Sequence, residues 1–163
     1  MPEFKFNPHH TIIICHGQVA GQGIEIALPM AVDTGATFTM IPYEAVQAAG
    51  VNPLKARRRI EITTGSGIEY VPMVVIPYFK AYGIEIKNMP VLCHNLPSPG
   101  PVEGLLGLDF MKRVKLMIDF SANVFRVPQS SRHGRRNIRQ SIRQLKAFRR
   151  GRKLRQGFPS NQK

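Results

Sequence analysis

A run of strand-like alternation, Ile24 to Val32, leads directly into Asp33-Thr34-Gly35-Ala36-Thr37-Phe38-Thr39-Met40-Ile41-Pro42, and this junction constrains the chain more than any other stretch. Ile24, Ile26, Leu28, Met30 and Val32 share one parity, and Glu25, Ala27, Pro29 and Ala31 share the other. That is the period of a strand with one buried face. Asp33 falls on the parity opposite Val32, so its carboxylate is expected to point away from the core as the strand ends. Gly35 is expected to supply the positive φ of a tight turn. Asp-x-Gly also marks ordinary turns, so the tripeptide alone does not decide a function.

A second stretch, Glu103-Gly104-Leu105-Leu106-Gly107-Leu108-Asp109-Phe110-Met111, places two bulky aliphatics and a glycine before a short helical pattern. In this order the two motifs resemble the retropepsin-like aspartic proteases, single-domain enzymes with one Asp-Thr-Gly-Ala per chain. The resemblance covers roughly Thr11 to Val127. It implies an all-β fold, a closed β-barrel half-domain with a flap hairpin and one or two short helices, followed here by a basic C-terminal tail. It also implies that Leu105, Leu106 and Gly107 thread beneath the Asp33 turn and lock it, with Ala36 and Asp109 as further structural support. Many viral members carry Arg where this chain has Leu108, which leaves an Arg-mediated dimer lock in doubt.

The chain has 163 residues, 43% of them hydrophobic, enough for one core. Its net charge of +13 is unevenly spread: residues 1–127 carry 11 Lys/Arg and all 10 acidic residues, and residues 128–163 carry 12 Lys/Arg and none. A near-neutral domain over 1–127 and a cationic arm over 128–163 are expected. Cys15 and Cys93 sit among apolar residues and read as buried free thiols, although a disulfide between them stays open. No secretory or membrane-spanning pattern is visible, which points to a cytoplasmic, reducing location with peripheral membrane association left open.

Met1 to His10, with Phe4 and Phe6 alternating with polar residues, reads as an edge strand or a loose arm. Thr11 to Val19 reads as a strand, joined through Gly21-Gln22-Gly23 to the strand that carries Asp33. His9, His10, Cys15 and His16 match no zinc spacing, and alternation separates Cys15 from His16. Pro42 opens a short helix through Ala49, stopped at Gly50. Ile60–Thr64 and Ile68–Ile76, joined by Gly65-Ser66-Gly67, form a long hairpin with a supple tip. Tyr82–Lys87 and Met89–His94 read as a further strand pair, and Leu96–Pro101 as a loop. Asp109 to Val114 is expected as a helix with Asp109 capping its start. Lys115–Phe120 and Asn123–Val127 close the domain as a hairpin.

The resemblance implies a chemistry for these residues. Catalysis would rest on Asp33, Thr34 and Gly35, with Gly35 letting main-chain N–H groups approach the carboxylates, and the hairpin tip Thr64, Gly65, Ser66 and Gly67 would be the flap over an extended peptide substrate. One Asp-Thr-Gly in the sequence means a homodimer, with Asp33 of each copy facing the other across a twofold axis. No metal and no organic cofactor would be needed. Ala36, where pepsin-like relatives often carry a hydroxyl, implies a milder pH optimum. The competing reading is a non-catalytic dimeric scaffold whose basic arms bind nucleic acid or anionic membrane.

From Ser131 the chain is rich in Lys, Arg and Gln, with Ile138, Ile142, Leu145 and Phe148 at helical spacing. A solvated tail, a nucleic-acid contact and a helix lying on an anionic membrane all remain open for 131–155. Apolar residues near the junction would also allow the enzyme to trim its own tail.

Overall fold

A computed structural model describes residues 1–64 and 67–128. The expectations for the arm, for Gly65 and for Ser66 lie outside the described residues.

Two turns set the registers from which the fold is built. Gln22 and Gly23 have φ of 51° and 79° and join β2, Ile14–Gly21, to β3, Ile24–Val32. Because Gly21 pairs with Ile24, this is a two-residue turn with both central residues at positive φ, the geometry whose twist matches that of the strands it joins. The strand begins at Ile14, later than the Thr11 read from the sequence. Tyr82 and Gly83, with φ of 50° and 71°, make the same kind of turn between β6, Gly67–Ala81, and β7, Ile84–Cys93.

The expected strand pair Tyr82–Lys87 and Met89–His94 is therefore one strand, with β6 as its partner. Asn88 looked like a turn residue, and it does hold a positive φ of 51°. It does so inside the ladder: the Ile76–Met89 and Tyr78–Lys87 pairs bracket Asn88 and Pro77, and Pro77 has no N–H to pair.

β3 also pairs in parallel with β8, Gly104–Leu106, and β8 pairs with β4, Met40–Ile41. β4 runs parallel to β7. The sheet order β2-β3-β8-β4-β7-β6 returns to β2 through Gln18–Ala20 against Lys80–Tyr78, which closes a six-stranded barrel. Closure removes free edges over most of the sheet. β5, Arg58–Thr64, pairs only with β6, and β6 parts from β7 beyond Met73, so β5 and the first part of β6 form a two-stranded hairpin off the barrel. Both of its arms are longer than the sequence reading gave.

Two short helices, α1 at Tyr43–Ala48 and α2 at Leu108–Val114, complete the unit, with a 3-10 turn at Pro53–Lys55. Both helices are amphipathic: Ala45 and Val46 of α1 and Phe110, Met111 and Val114 of α2 are buried. Phe79 of β6 and Phe110 are both fully buried and meet edge to face at 5.6 Å, so α2 plugs the barrel floor.

A separate three-stranded sheet joins β1, Glu3–Lys5, to β10, Val124–Arg126, and β10 to β9, Met117–Asp119. Arg126 ties all three strands, pairing with Glu3 at 2.7 Å and with Asp119, whose carboxyl it holds below the ordinary value. Truncating the plug tests this packing: Phe110→Ala should lower the unfolding free energy by about 3–5 kcal/mol, measured by urea titration.

Candidate active site

Asp33 stands at the end of β3, half-buried, with its main chain fixed by Asp33 N–H donating to Leu106 O at 3.0 Å. Its carboxylate is fixed too. The N–H groups of Gly35 and Ala36 donate to Asp33 Oδ1 at 2.8 and 3.3 Å, and Ala36 N–H also donates to Asp33 O at 3.3 Å. Asp33 Oδ2 accepts no bond among the described residues. Thr34 and Gly35 are exposed.

Of the two roles expected of Gly35, a positive φ and a close approach of main-chain N–H to the carboxylate, the geometry fits the second. Its φ is not in the left-handed region, which is occupied by Gly23, Gly50, Gly67 and Gly83 among the described glycines. A Cβ at Gly35 would instead lie 3.1 Å from Asp33 Oδ1, so the residue matters because main chain and carboxylate approach closely.

β8 runs beneath this turn. Its pairs Met30–Gly104, Ala31–Leu105 and Val32–Leu106 wedge it between β3 and β4, with Leu106 fully buried. Leu108 N–H donates to Ala36 O at 2.9 Å, and Asp109 N–H to Thr37 O at 3.2 Å. Gly107 has no room for a side chain, since a Cβ there would meet Phe38 C at 2.5 Å and Thr39 N at 2.8 Å.

Thr39, which the sequence reading passed over, is the one buried polar residue among those described. Its N–H and Oγ1 donate to Asp109 Oδ1 at 2.9 and 2.8 Å, and its Oγ1 accepts from Gly107 N–H at 3.2 Å. The helix cap expected of Asp109 needs correction. Gly107 occupies the N-cap position of α2, and Asp109 lies in the first turn, taking Phe110 N–H at 2.9 Å while its main business is with Thr39. No local sequence signal marks this pair, whose members stand 70 residues apart.

Asp109 Oδ2 is buried without a hydrogen-bond partner. Burial pushes the Asp109 carboxyl above its ordinary value, against the opposing pull of the Thr39 and Phe110 donors and of Arg113.

The hairpin residues lie elsewhere on the unit. Thr64 Oγ1 lies 3.1 Å from both Gly67 O and Glu69 Oε1, two acceptors that share its one proton, and Gly67 has a φ of 129°. Glu69 Oε2 reaches His94 Nδ1 at 3.8 Å, past the last β6–β7 pair at Met73–Leu92. Cys15 and Cys93 are buried and free, and burial pushes their thiols up to about 11 and about 12. Among the described residues no three His, Cys, Asp or Glu gather as a metal site, and no helix is long and apolar enough to cross a membrane.

A family model described as "gag-polyprotein putative aspartyl protease" matches residues 17–113, which takes in the Asp33 turn, the hairpin and β8. The chain belongs to this family. Its fold is shared with the crystal structure of a retropepsin-like aspartic protease from Rickettsia conorii, at a TM-score of 0.57 and 19% identity over 77% of this chain and 87% of that one. The retroviral protease-like domain of Ddi1 from Leishmania major gives a TM-score of 0.51 and 19% identity, over 74% of this chain and 91% of its own. No curated protein sequence matches. The retropepsin-like fold thus holds at low identity.

Two measurements check the Thr39–Asp109 contact of this aspartyl-protease fold. Thr39→Val leaves Gly107 N–H buried without an acceptor and should cost about 1–3 kcal/mol in chemical denaturation. The pH response follows from the raised Asp109 carboxyl. An acid whose folded value lies above its unfolded one binds more protons when folded, so its contribution to stability falls as pH rises above about 3.9, the unfolded value. Asp109→Asn removes that loss, and the variant-minus-wild-type difference in unfolding free energy should shift in favour of Asn as pH rises from about 4. A pH-independent difference would contradict the burial argument.

Proposed function

We propose that this protein is an aspartic endopeptidase whose active centre forms when two copies bring their Asp33 carboxylates together. The observation that carries the reading is an Asp33 anchored through Oδ1, with Oδ2 bonded to none of the described residues, in a family member whose sequence has a single Asp-Thr-Gly. One such half-site lacks a partner acid. A C2 pairing supplies it by placing the same surface patch of both copies on the axis.

Two carboxylates about 3 Å apart cannot both ionise, so the dyad would hold one proton. The ionised member takes a proton from a bridging water, and the water oxygen attacks the scissile carbonyl carbon. The protonated member gives its proton to the carbonyl oxygen. As the C–N bond breaks, the member that took the water's proton passes it to the leaving amine, and the other recovers a proton from a gem-diol hydroxyl, which restores the singly protonated dyad. No metal or organic cofactor enters these steps. The Thr34 hydroxyl, exposed in a single copy, would bond across the axis. Gly35 keeps main-chain donors close to the carboxylate.

The substrate would be an extended peptide lying between the Asp33 turn and the hairpin. Thr64, Gly65, Ser66 and Gly67 act as the flap that covers it, excludes water and reopens for product release. Domain limits of 1–127 and 128–163, a cytoplasmic location, and nucleic acid or anionic membrane as partners of 131–155 belong to the same proposal. Comparing RNA and vesicle binding with and without 128–163 tests the last of these.

Asp33→Asn decides the catalytic claim. Peptide cleavage should fall at least about a thousandfold, since residues that act as one catalytic unit carry most of the acceleration, with folding unchanged by circular dichroism. Equal rates would refute the claim. Ala36 gives a further expectation: the wild-type pH–rate profile should peak above about pH 3, outside the range in which the low member of a pepsin-type dyad titrates.

A further inference from the structure

The barrel is closed, yet among the described residues several stretches have a strand neighbour on one side only. Among them are 24–29 of β3, 84–91 of β7 and 14–17 of β2, and the last of these borders a groove. β3 pairs with the whole of β2, whereas β6 covers only Gln18–Ala20. The phase of the ladder shows which main-chain groups are involved. Val32 N–H donates to Ile13 O at 2.9 Å, so the opposed residues Ile13 and Val32 are a hydrogen-bonded pair. Such pairs alternate along an antiparallel ladder. Cys15 and Gly17 therefore turn their main-chain groups toward β3, while Ile14 and His16 turn theirs to the far side. Pro29 opposite His16 agrees, because a proline without N–H fits only a non-bonded pair. Among the described residues no strand pairs with Ile14 or His16 on that side.

A groove of about 410 Å³ lies against this edge, bounded by β1 and by the Tyr82-Gly83 turn. The volume is within the range of about 300–1,000 Å³ usual for ligand sites. Its aromatic lining is rigid: Phe4 meets Tyr82 edge to face at 5.3 Å, and Phe125 lies 4.7 Å from Tyr82 on the other side. Tyr82 is 8% exposed, and its hydroxyl is buried without a hydrogen-bond partner, the Cys15 thiol being the polar group beside it. Lys5, His16 and Lys80 line the same groove and are exposed, and no acidic residue lines it. Glu85 stands opposite Lys80 in the β6–β7 ladder but outside the lining.

We propose that the free Ile14–Gly17 edge of β2 and its basic, aromatic-lined groove dock an extended acidic segment of another protein as an added strand. The edge supplies main-chain donors and acceptors, the pattern of strand addition. Lys5 and Lys80 select carboxylates. Charge sets this partner apart from the chain's own arm, because residues 128–163 carry 12 Lys/Arg and no acid and would be repelled by the same lysines. The docking surface does not rest on the peptidase reading.

The test uses the full chain carrying Asp33→Asn, so that no peptide is cleaved, and a fluorescein-labelled octapeptide of alternating Glu and Val read by anisotropy. Saturable binding is expected, weakened by at least about tenfold in Lys5→Glu/Lys80→Glu, with that variant's thermal unfolding checked against the parent. On the unsubstituted surface, N-methylation of alternate peptide amides should weaken binding to a similar degree, a readout that needs no folded variant. Absence of binding, indifference to N-methylation, or equal binding of a Lys/Val peptide or of a peptide spanning 138–152 would overturn the proposal. So would displacement by a single-stranded DNA oligonucleotide as efficient as by unlabelled peptide, or by a transition-state mimic of peptide hydrolysis. Loss of the peptidase reading would show instead as equal cleavage by wild type and Asp33→Asn, leaving this binding intact.

Discussion

The three-residue strand Gly104–Leu106, wedged between β3 and β4, is the constraint on which the rest depends. Alone it is too short to be stable. It gains order from a fully buried Leu106, from the Asp33 N–H bond to Leu106 O, and from Gly107 pressed against Phe38 and Thr39. The Thr39–Asp109 bonds then fasten the turn to the first turn of α2. A carboxylate at a strand tip would ordinarily move with its loop. Here every residue from Asp33 to Thr39 that could let it drift is flanked by a bond to main chain or to Asp109, or by close packing. Burying Asp109 with an orphaned Oδ2 is costly, which suits a place where position matters more than stability.

Barrel closure and site position follow from the same crossing. Inserting β8 between β3 and β4 brings the Asp33 turn and the start of α2 together, and Phe110 on that helix plugs the barrel against Phe79. A substitution in the plug would thus reach the acid through packed groups without touching it. The hairpin is attached differently. Beyond Met73 it leaves the barrel ladder, and the Glu69–His94 contact is a side-chain link from its β6 arm back to the end of β7. The chain therefore has a base under the acid tied by many bonds and a ribbon held by fewer, the division of labour that the proposed peptide capture and release would use.

Much of this was legible in the sequence because the informative residues are close together in the chain. The alternation of Ile24 to Val32, the Asp-Thr-Gly-Ala turn and the Leu-Leu-Gly run each declare themselves within a few residues, and together they pointed to the retropepsin-like fold. What escaped notice was long-range or disguised. Thr39 and Asp109 look like an ordinary strand hydroxyl and an ordinary cap, and only the threading of β8 makes them partners. Tyr82 is a strand former that serves as a turn residue, while Asn88 is a turn former kept inside a strand opposite a proline, so propensity misplaced the start of β7 and split it in the middle. Gly35 lacks the positive φ expected of it, whereas the close approach of main-chain N–H to the carboxylate that the resemblance implied is present.

The account's central claim is that neither copy works alone, and mixing tests this directly. Wild-type and Asp33→Asn chains, allowed to exchange at equal proportions and fixed total concentration, should hydrolyse peptide at about one quarter of the all-wild-type rate, because only dimers with two intact acids are competent. A rate of about one half, the simple dilution expected if each chain carries a complete centre, would contradict it.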